Sequence, residues 1–388
     1  MDFKVFAHGI ALALGAAVLA PLPASAQPLL VGGYTGQGGQ GIAVYDFDPR
    51  TGTIAARPLQ VEAAGNPSWL TLSADGRHLY AVNENGGGQA DPVGRVSAYR
   101  LDPRNGRLAF LNRVASLGAE PTHASLSRDG RFLFIANYSV SADPGGTLAV
   151  APVLADGRLA PVIQVKTHHA SLVDADRQAS AHVHSAVSSP DGRFVFAQDL
   201  GADRIYAYRY DPAQRENPLS AVPGQPFLAL PPGSGPRHLV FAPGGHQAYV
   251  TLEMAGAVAV LDYAEGHLTV RQVVPLAPAG FAGKVGAAAL HVSPDGRFLA
   301  VTDRGTDNHL VSFAIDPANG TLTQVDRRAV DGIQPREFAF APDGRFVLVA
   351  NQGSNAIAVF RRDPQTGVVG EKVQTLAFSQ PSALLFPR

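Results

Sequence analysis

One short phrase recurs along this chain. It is an apolar strand, then Ser or Ala, a residue that is usually Pro, Asp-Gly-Arg, and a second strand rich in aromatic and β-branched residues. Copies lie at Ser73–Arg77, Ser127–Arg131, Ser189–Arg193, Ser293–Arg297 and Ala341–Arg345, with a degenerate one at Ala242–His246. Equivalent positions are 54, 62, 53, 51 and 48 residues apart. A repeat of roughly 40–50 residues carrying several short strands is the signature of a β-propeller, in which each repeat forms one four-stranded blade. A second turn, Asp-Pro-x-x-Gly or a relative, counts the blades. It occurs at Asp48–Gly52, Asp102–Gly106, Asp211–Pro212, Asp316–Gly320 and Asp363–Gly367, and more weakly at Asp156–Gly157 and Asp262–Gly266. Seven outer turns against six inner ones imply seven blades, the first assembled from both ends of the chain. Its inner strand would be Pro381–Pro387, paired with Leu29–Tyr34 so that no edge stays open.

The first 26 residues stand apart. Lys4, the apolar run Gly9–Ala20 and the small-residue site Ala24-Ser25-Ala26 form the pattern of a cleaved export signal. The run is too short for a spanning helix, which needs about 20 residues. Residues 27–388 are therefore expected to form one propeller domain in the periplasm or outside the cell, with no membrane segment after cleavage. There is no cysteine, which excludes disulfides and thiolate metal sites. Lys plus Arg number 31 and Asp plus Glu 32, without a basic cluster, which argues against nucleic acid as a partner. The expected partner is a small molecule. No cofactor is implied, and nothing signals an oligomeric state.

Blade geometry places the chemistry. Naming strands A to D from the axis outward, both tight turns fall on one face of the disc. The start of strand A and the end of strand B meet on the other, beside the axis. Seven residues before the turn aspartate stand Ser68, Thr122, His184, Arg237, Ala288 and Arg336; the next column is Trp69, His123, Ser185, His238, Ala289 and Glu337. Strand B ends at Asn83-Glu84, Asn137-Tyr138, Asp199, Glu253, Asp303-Arg304 and Asn351-Gln352. Histidine, arginine and carboxylate thus converge on one channel mouth, which the longer loop Ser139–Gly146 would partly cover. Turn residues such as Asp75 are expected to cap backbone N–H groups, and Arg77 and its equivalents lie on the opposite face. Asn137 and its equivalents fit either a ligand or the loop backbone. His168-His169 fits a surface role. His182-x-His184 fits a metal, a structural or a catalytic role, although zinc would need a third ligand that cannot be singled out. Arg237 and Glu253, on adjacent strands of one blade, fit either a buried ion pair or an anion-holding site.

The run His182-Val-His-Ser-Ala-Val-Ser-Ser-Pro-Asp-Gly-Arg-Phe-Val-Phe-Ala-Gln-Asp-Leu-Gly-Ala-Asp-Arg-Ile-Tyr-Ala-Tyr208 resembles the seven-bladed propeller lactonases. That family includes bacterial 6-phosphogluconolactonases and the fungal carboxy-muconate lactonising enzyme. Gly233-Ser-Gly-Pro-Arg-His-Leu-Val-Phe241, His291-Val-Ser-Pro-Asp-Gly-Arg-Phe298 and Pro335-Arg336 carry the same resemblance. It implies a lactone hydrolase with His184, Arg237, Glu253 and Arg304 as catalytic residues. His123, His182, Arg336, Asn137 and Asp199 are the expected substrate-binding residues, and no metal is expected. His184 or Glu253 would be the base and Arg237 with Arg304 the oxyanion and anionic-group binders. No Gly-x-Ser-x-Gly elbow is present, which argues against a serine nucleophile. A lactone-forming cycloisomerase and a non-catalytic exported binding propeller are the rival expectations.

Overall fold

One turn design recurs through most of the blades. In the phrase at Ser127–Arg131, the Ser127 hydroxyl donates to Asp129 Oδ1 (2.6 Å) and accepts from the Phe132 N–H (3.0 Å), and Asp129 Oδ1 also accepts from the Arg131 N–H (3.1 Å). Gly130 has φ +69°, in the left-handed region where a side chain is strained. The same bonds recur at Ser189 and Ser293, so serine, aspartate and glycine each have a defined task. The arginines of the phrase bridge to the next blade on that face: Arg297 reaches the Pro364 carbonyl, and Arg345 the Pro49 carbonyl.

The computed structural model describes residues 1–2, 26–36, 38–139 and 145–387. The hydrophobic part of the expected export signal and the body of the Ser139–Gly146 loop lie outside the described residues. Seven antiparallel sheets surround one axis. The fifth blade is typical, running outward through Pro236–Phe241, Gln247–Leu252, Ala257–Ala264 and His267–Pro275. The closure is as expected from the turn count. Pro381–Leu385 is the innermost strand of the first sheet and pairs antiparallel with Gln27–Gly33. Between blades, apolar side chains interlock. Phe47 of the first blade meets Phe346 of the seventh and Phe386 of the closing strand edge-on, at ring separations of 6.1 and 5.2 Å.

Strand A carries an irregularity that matters for the site. In six blades its pairing with strand B shifts near its start. Val183 pairs with Asp199 and Ser185 with Gln198, leaving His184 out of register. Thr122 and Arg336 are skipped in the same way, and Arg237 lies within the equivalent shift of the fifth blade. A bulge frees a residue from the ladder and re-aims its side chain.

Candidate active site at the channel mouth

The bulged column and the residue just past strand B meet in one cleft of about 710 Å³, whose walls include Glu84, Tyr138, His184, Glu253, Arg304 and Arg336. Beneath it a small void is lined by Trp69, His184, Arg237, His238 and Arg336, from four different blades.

Glu253 is the hub. Its Oε2 lies 3.0 Å from Arg237 Nε and 2.9 Å from Arg304 Nη2, and its Oε1 accepts a 2.6 Å bond from Arg177 Nη2. The Arg237 Nε contact is a charge contact rather than an aligned hydrogen bond, since that N–H has no well-directed acceptor. Burial alone would raise the Glu253 carboxyl; the Arg304, Arg237 and Arg177 charges outweigh it and hold it at about 2. Arg237 is only 1% exposed. Burial, and then the Arg304 charge, push it down to about 9, so it stays charged at neutral pH. His184 is held well below its ordinary value, first by burial and then by Arg237, Arg336 and Arg304. It therefore stands neutral in the cleft, with its Nδ1 buried and unpartnered. A second acid–base cluster borders it. Arg336 pairs with Glu84 Oε2 at 3.3 Å and lies over the Tyr34 ring at 5.2 Å, while the Tyr34 hydroxyl donates to Glu84 Oε1 at 2.7 Å.

The four expected catalytic residues and Arg336 are thus brought together, while the other expected binding residues lie elsewhere. The Asn137 side chain is fully buried and donates to the Ser116 carbonyl and to Thr147 Oγ1. Asp199 Oδ1 accepts from the His182 and Ala202 N–H groups, and its Oδ2 lies 2.7 Å from His168 Nδ1. Both therefore tie down loops instead of facing the cleft. Asn83, Asn351 and Asp303, in the same column, do likewise for Gly65, Val330 and Gly286. The cleft-facing column is one residue later, in Glu84, Tyr138, Glu253 and Arg304. His182 stacks on Tyr138 at 4.5 Å, with Nδ1 2.9 Å from the Tyr138 carbonyl, so it supports the cleft wall. His123 stacks on Trp69 deeper in the channel.

His168 is a correction. The expected surface residue is buried, its ring held between Asp199 and the Tyr208 hydroxyl at 2.7 Å each and stacked on Tyr206, because the loop folds back on the fourth blade; His169 is exposed. Among the described residues no group of three or more His, Cys, Asp or Glu side chains gathers to hold a metal ion. Arg177, Glu84 and Tyr34 were missed. Glu84 stood in the right column, whereas Arg177 lies on an excursion with no repeat equivalent.

Comparison with known proteins follows this geometry. A profile for the family described as "Lactonase, 7-bladed beta-propeller" matches residues 28–386. The chain belongs to that family. It is 33% identical to a 6-phosphogluconolactonase of Formosa agariphila over 362 residues, covering 92% of this chain and 98% of the relative. A 6-phosphogluconolactonase of Bacillus subtilis is 32% identical, with 92% and 97% covered. Among solved structures, the periplasmic gluconolactonase of Pseudomonas aeruginosa is similar at 54% identity and a TM-score of 0.91, over 94% of this chain and 99% of that one. The family resemblance expected from the His182–Tyr208 and Gly233–Phe241 segments therefore holds over the whole propeller.

Proposed function

We propose that the protein hydrolyses the lactone of a sugar acid of the gluconolactone kind, at the mouth of the propeller channel. The observation that carries this is the convergence of Arg177, Arg237 and Arg304 on Glu253 beside a neutral His184. The names of the similar proteins, 6-phosphogluconolactonase and periplasmic gluconolactonase, support the substrate class.

In the proposed mechanism the lactone carbonyl oxygen faces Arg237 and Arg304. His184 takes a proton from a water as that water's oxygen bonds to the carbonyl carbon. The carbonyl oxygen becomes anionic, and the guanidiniums of buried Arg237 and partly exposed Arg304, fixed before the reaction, stabilise it. The ring C–O bond then breaks, the ring oxygen takes the proton from His184, and the product is an open-chain hydroxy acid. His184 is preferred to Glu253 as base because both carboxylate oxygens already face arginine. Glu253 instead holds the guanidiniums in place. Arginine is unsuited to the base role because it keeps its proton.

The test is purified protein mixed with gluconolactone, its 6-phosphate and a muconate, followed by acid release and ultraviolet absorbance. Accelerated acid release from a lactone, with the muconate unchanged, is expected. No acceleration over the spontaneous rate would leave a binding propeller as the better account, and a muconate absorbance change would indicate the cycloisomerase. We also propose export, supported by the periplasmic relative and by a strand, the first among the described residues, that starts at Gln27. Protein recovered from the periplasm for this assay should begin at Gln27 by mass spectrometry; an intact residue 1–26 segment would contradict it.

A further inference from the structure

The loop between the third and fourth blades does more than connect them. It leaves the outer strand Gln164–Thr167, crosses the channel face and enters the inner strand Val183–Ser188. It is pinned at several points. His168 is buried against Asp199 and Tyr208, the Ser171 N–H donates to the Gly201 carbonyl (2.8 Å), and Gln178 Nε2 donates to the Leu200 carbonyl (2.9 Å). Asp174 Oδ1 accepts from the Asp176 and Arg177 N–H groups at 2.9 Å each, which fixes the turn that presents Arg177. Arg177 is therefore held at the rim by a braced loop.

Its side chain is 43% exposed, against 1% for Arg237 and 15% for Arg304, the other two arginines on Glu253. Arg177 uses only Nη2, toward Glu253 and, at 3.4 Å, the Tyr138 hydroxyl. Its Nε and Nη1 have no partner among the described residues. Lys284 lines the same cleft, is exposed, and its ammonium has no acidic partner among the described residues. Four arginines and this lysine face the cleft or its floor, against Glu253, Glu84, Asp174 and, in the floor, Glu337. Hydrolysis needs positive charge for one developing oxyanion, which the deep pair Arg237 and Arg304 can supply. The rim cations are in excess of that need.

We infer that Arg177 and Lys284 form an anion-binding subsite at the rim of the cleft, which selects lactones carrying a second, anionic substituent such as a phosphate or carboxylate. The free Nε–H and Nη1–H groups point to different sides of the guanidinium, so each can donate to one anionic oxygen, and the ammonium adds a point charge. The anion would bind at the rim while the lactone carbonyl reaches the buried arginines. This inference rests on the hydrolase reading above and narrows its substrate class.

The test compares kcat/KM for gluconolactone, its 6-phosphate and a glucaric acid lactone in the wild type, Arg177→Gln and Lys284→Ala. The wild type should favour at least one of the charged lactones over the neutral one. Arg177→Gln should lower the charged-to-neutral ratio about tenfold or more, the scale of a charge-assisted hydrogen bond, and Lys284→Ala should lower it several-fold. Loss of preference for the phosphate ester alone assigns the subsite to phosphate; loss for the glucaric lactone as well assigns it to anions generally. A ratio unchanged in Arg177→Gln would overturn the subsite. If the wild type cleaved no lactone, the hydrolase reading would fail by itself. Inorganic phosphate binding by calorimetry, weakened in Arg177→Gln, would then still support the subsite, and equal binding in both proteins would overturn it.

Discussion

His123, His184 and His238 sit together under the cleft, with ring separations of 5.6 Å from His123 to His238 and 5.1 Å from His184 to His238. All three are held neutral, chiefly by burial and then by the Arg237 charge, and His123 is pushed down to about 3. In the unfolded chain each would take up a proton near pH 6.5. Their folded values are lower, so their contribution to stability is full above pH 6.5 and is lost as pH falls below it, for His123 down to about 3. The slope is about 1.4 kcal/mol per pH unit for each proton bound only by the unfolded state. Glu253 has the same sign in a lower window, from its ordinary carboxylate value down to about 2. The melting temperature of the wild type should therefore fall between pH 6.5 and 4.5, and His123→Gln should fall less steeply over that range. Parallel slopes for the two proteins would show that His123 does not remain neutral in the fold.

At the scale of the strand, closure of the ring rests on few residues. Pro381–Leu385 pairs with Gln27–Gly33, and Leu384 and Phe386 bury their side chains in the seam between the first and seventh blades. Burying a leucine and a phenylalanine is worth about 1.5–3 kcal/mol each, against a net stability of about 5–15 kcal/mol for a folded protein. Deleting residues 380–388 would remove that burial and expose a strand edge beside the axis. The truncated protein should unfold or aggregate; an unchanged melting temperature and solubility would argue against closure by this strand. The closure and the blade count were legible because the Asp-Gly-Arg and Asp-Pro turns rest on local side-chain chemistry that repeats. The bulge was not legible. Their position at the end of strand B made Asn137 and Asp199 candidates for the cleft, but their side chains secure loops, and the cleft-facing column is one residue later. Arg177 had no signal at all, since its position depends on the path of a non-repeating loop.

Over the whole molecule the charge is nearly balanced, with 31 basic and 32 acidic residues, yet Arg177, Arg237, Arg304 and Arg336 gather at one end of the channel. The opposite face carries the turn arginines, each close to an aspartate or a neighbouring blade, as for Arg193 with Asp191 and Glu265. A propeller allows this division because its tight turns fall on one face and its bulged strand starts on the other. The central claim is that the arginine-rich mouth performs the hydrolysis. The most direct measurement is kcat/KM on a lactone cleaved by the wild type, for Arg237→Ala, Arg304→Gln and Arg77→Ala, with a melting curve for each. Arg304 is partly exposed, so its variant tests the site even if the buried Arg237 change weakens the fold. Arg237→Ala and Arg304→Gln should each lose about a hundredfold or more, the scale of an oxyanion donor, while Arg77→Ala on the far face stays within about twofold. Wild-type rates in folded Arg237→Ala and Arg304→Gln would contradict the account and place the chemistry elsewhere.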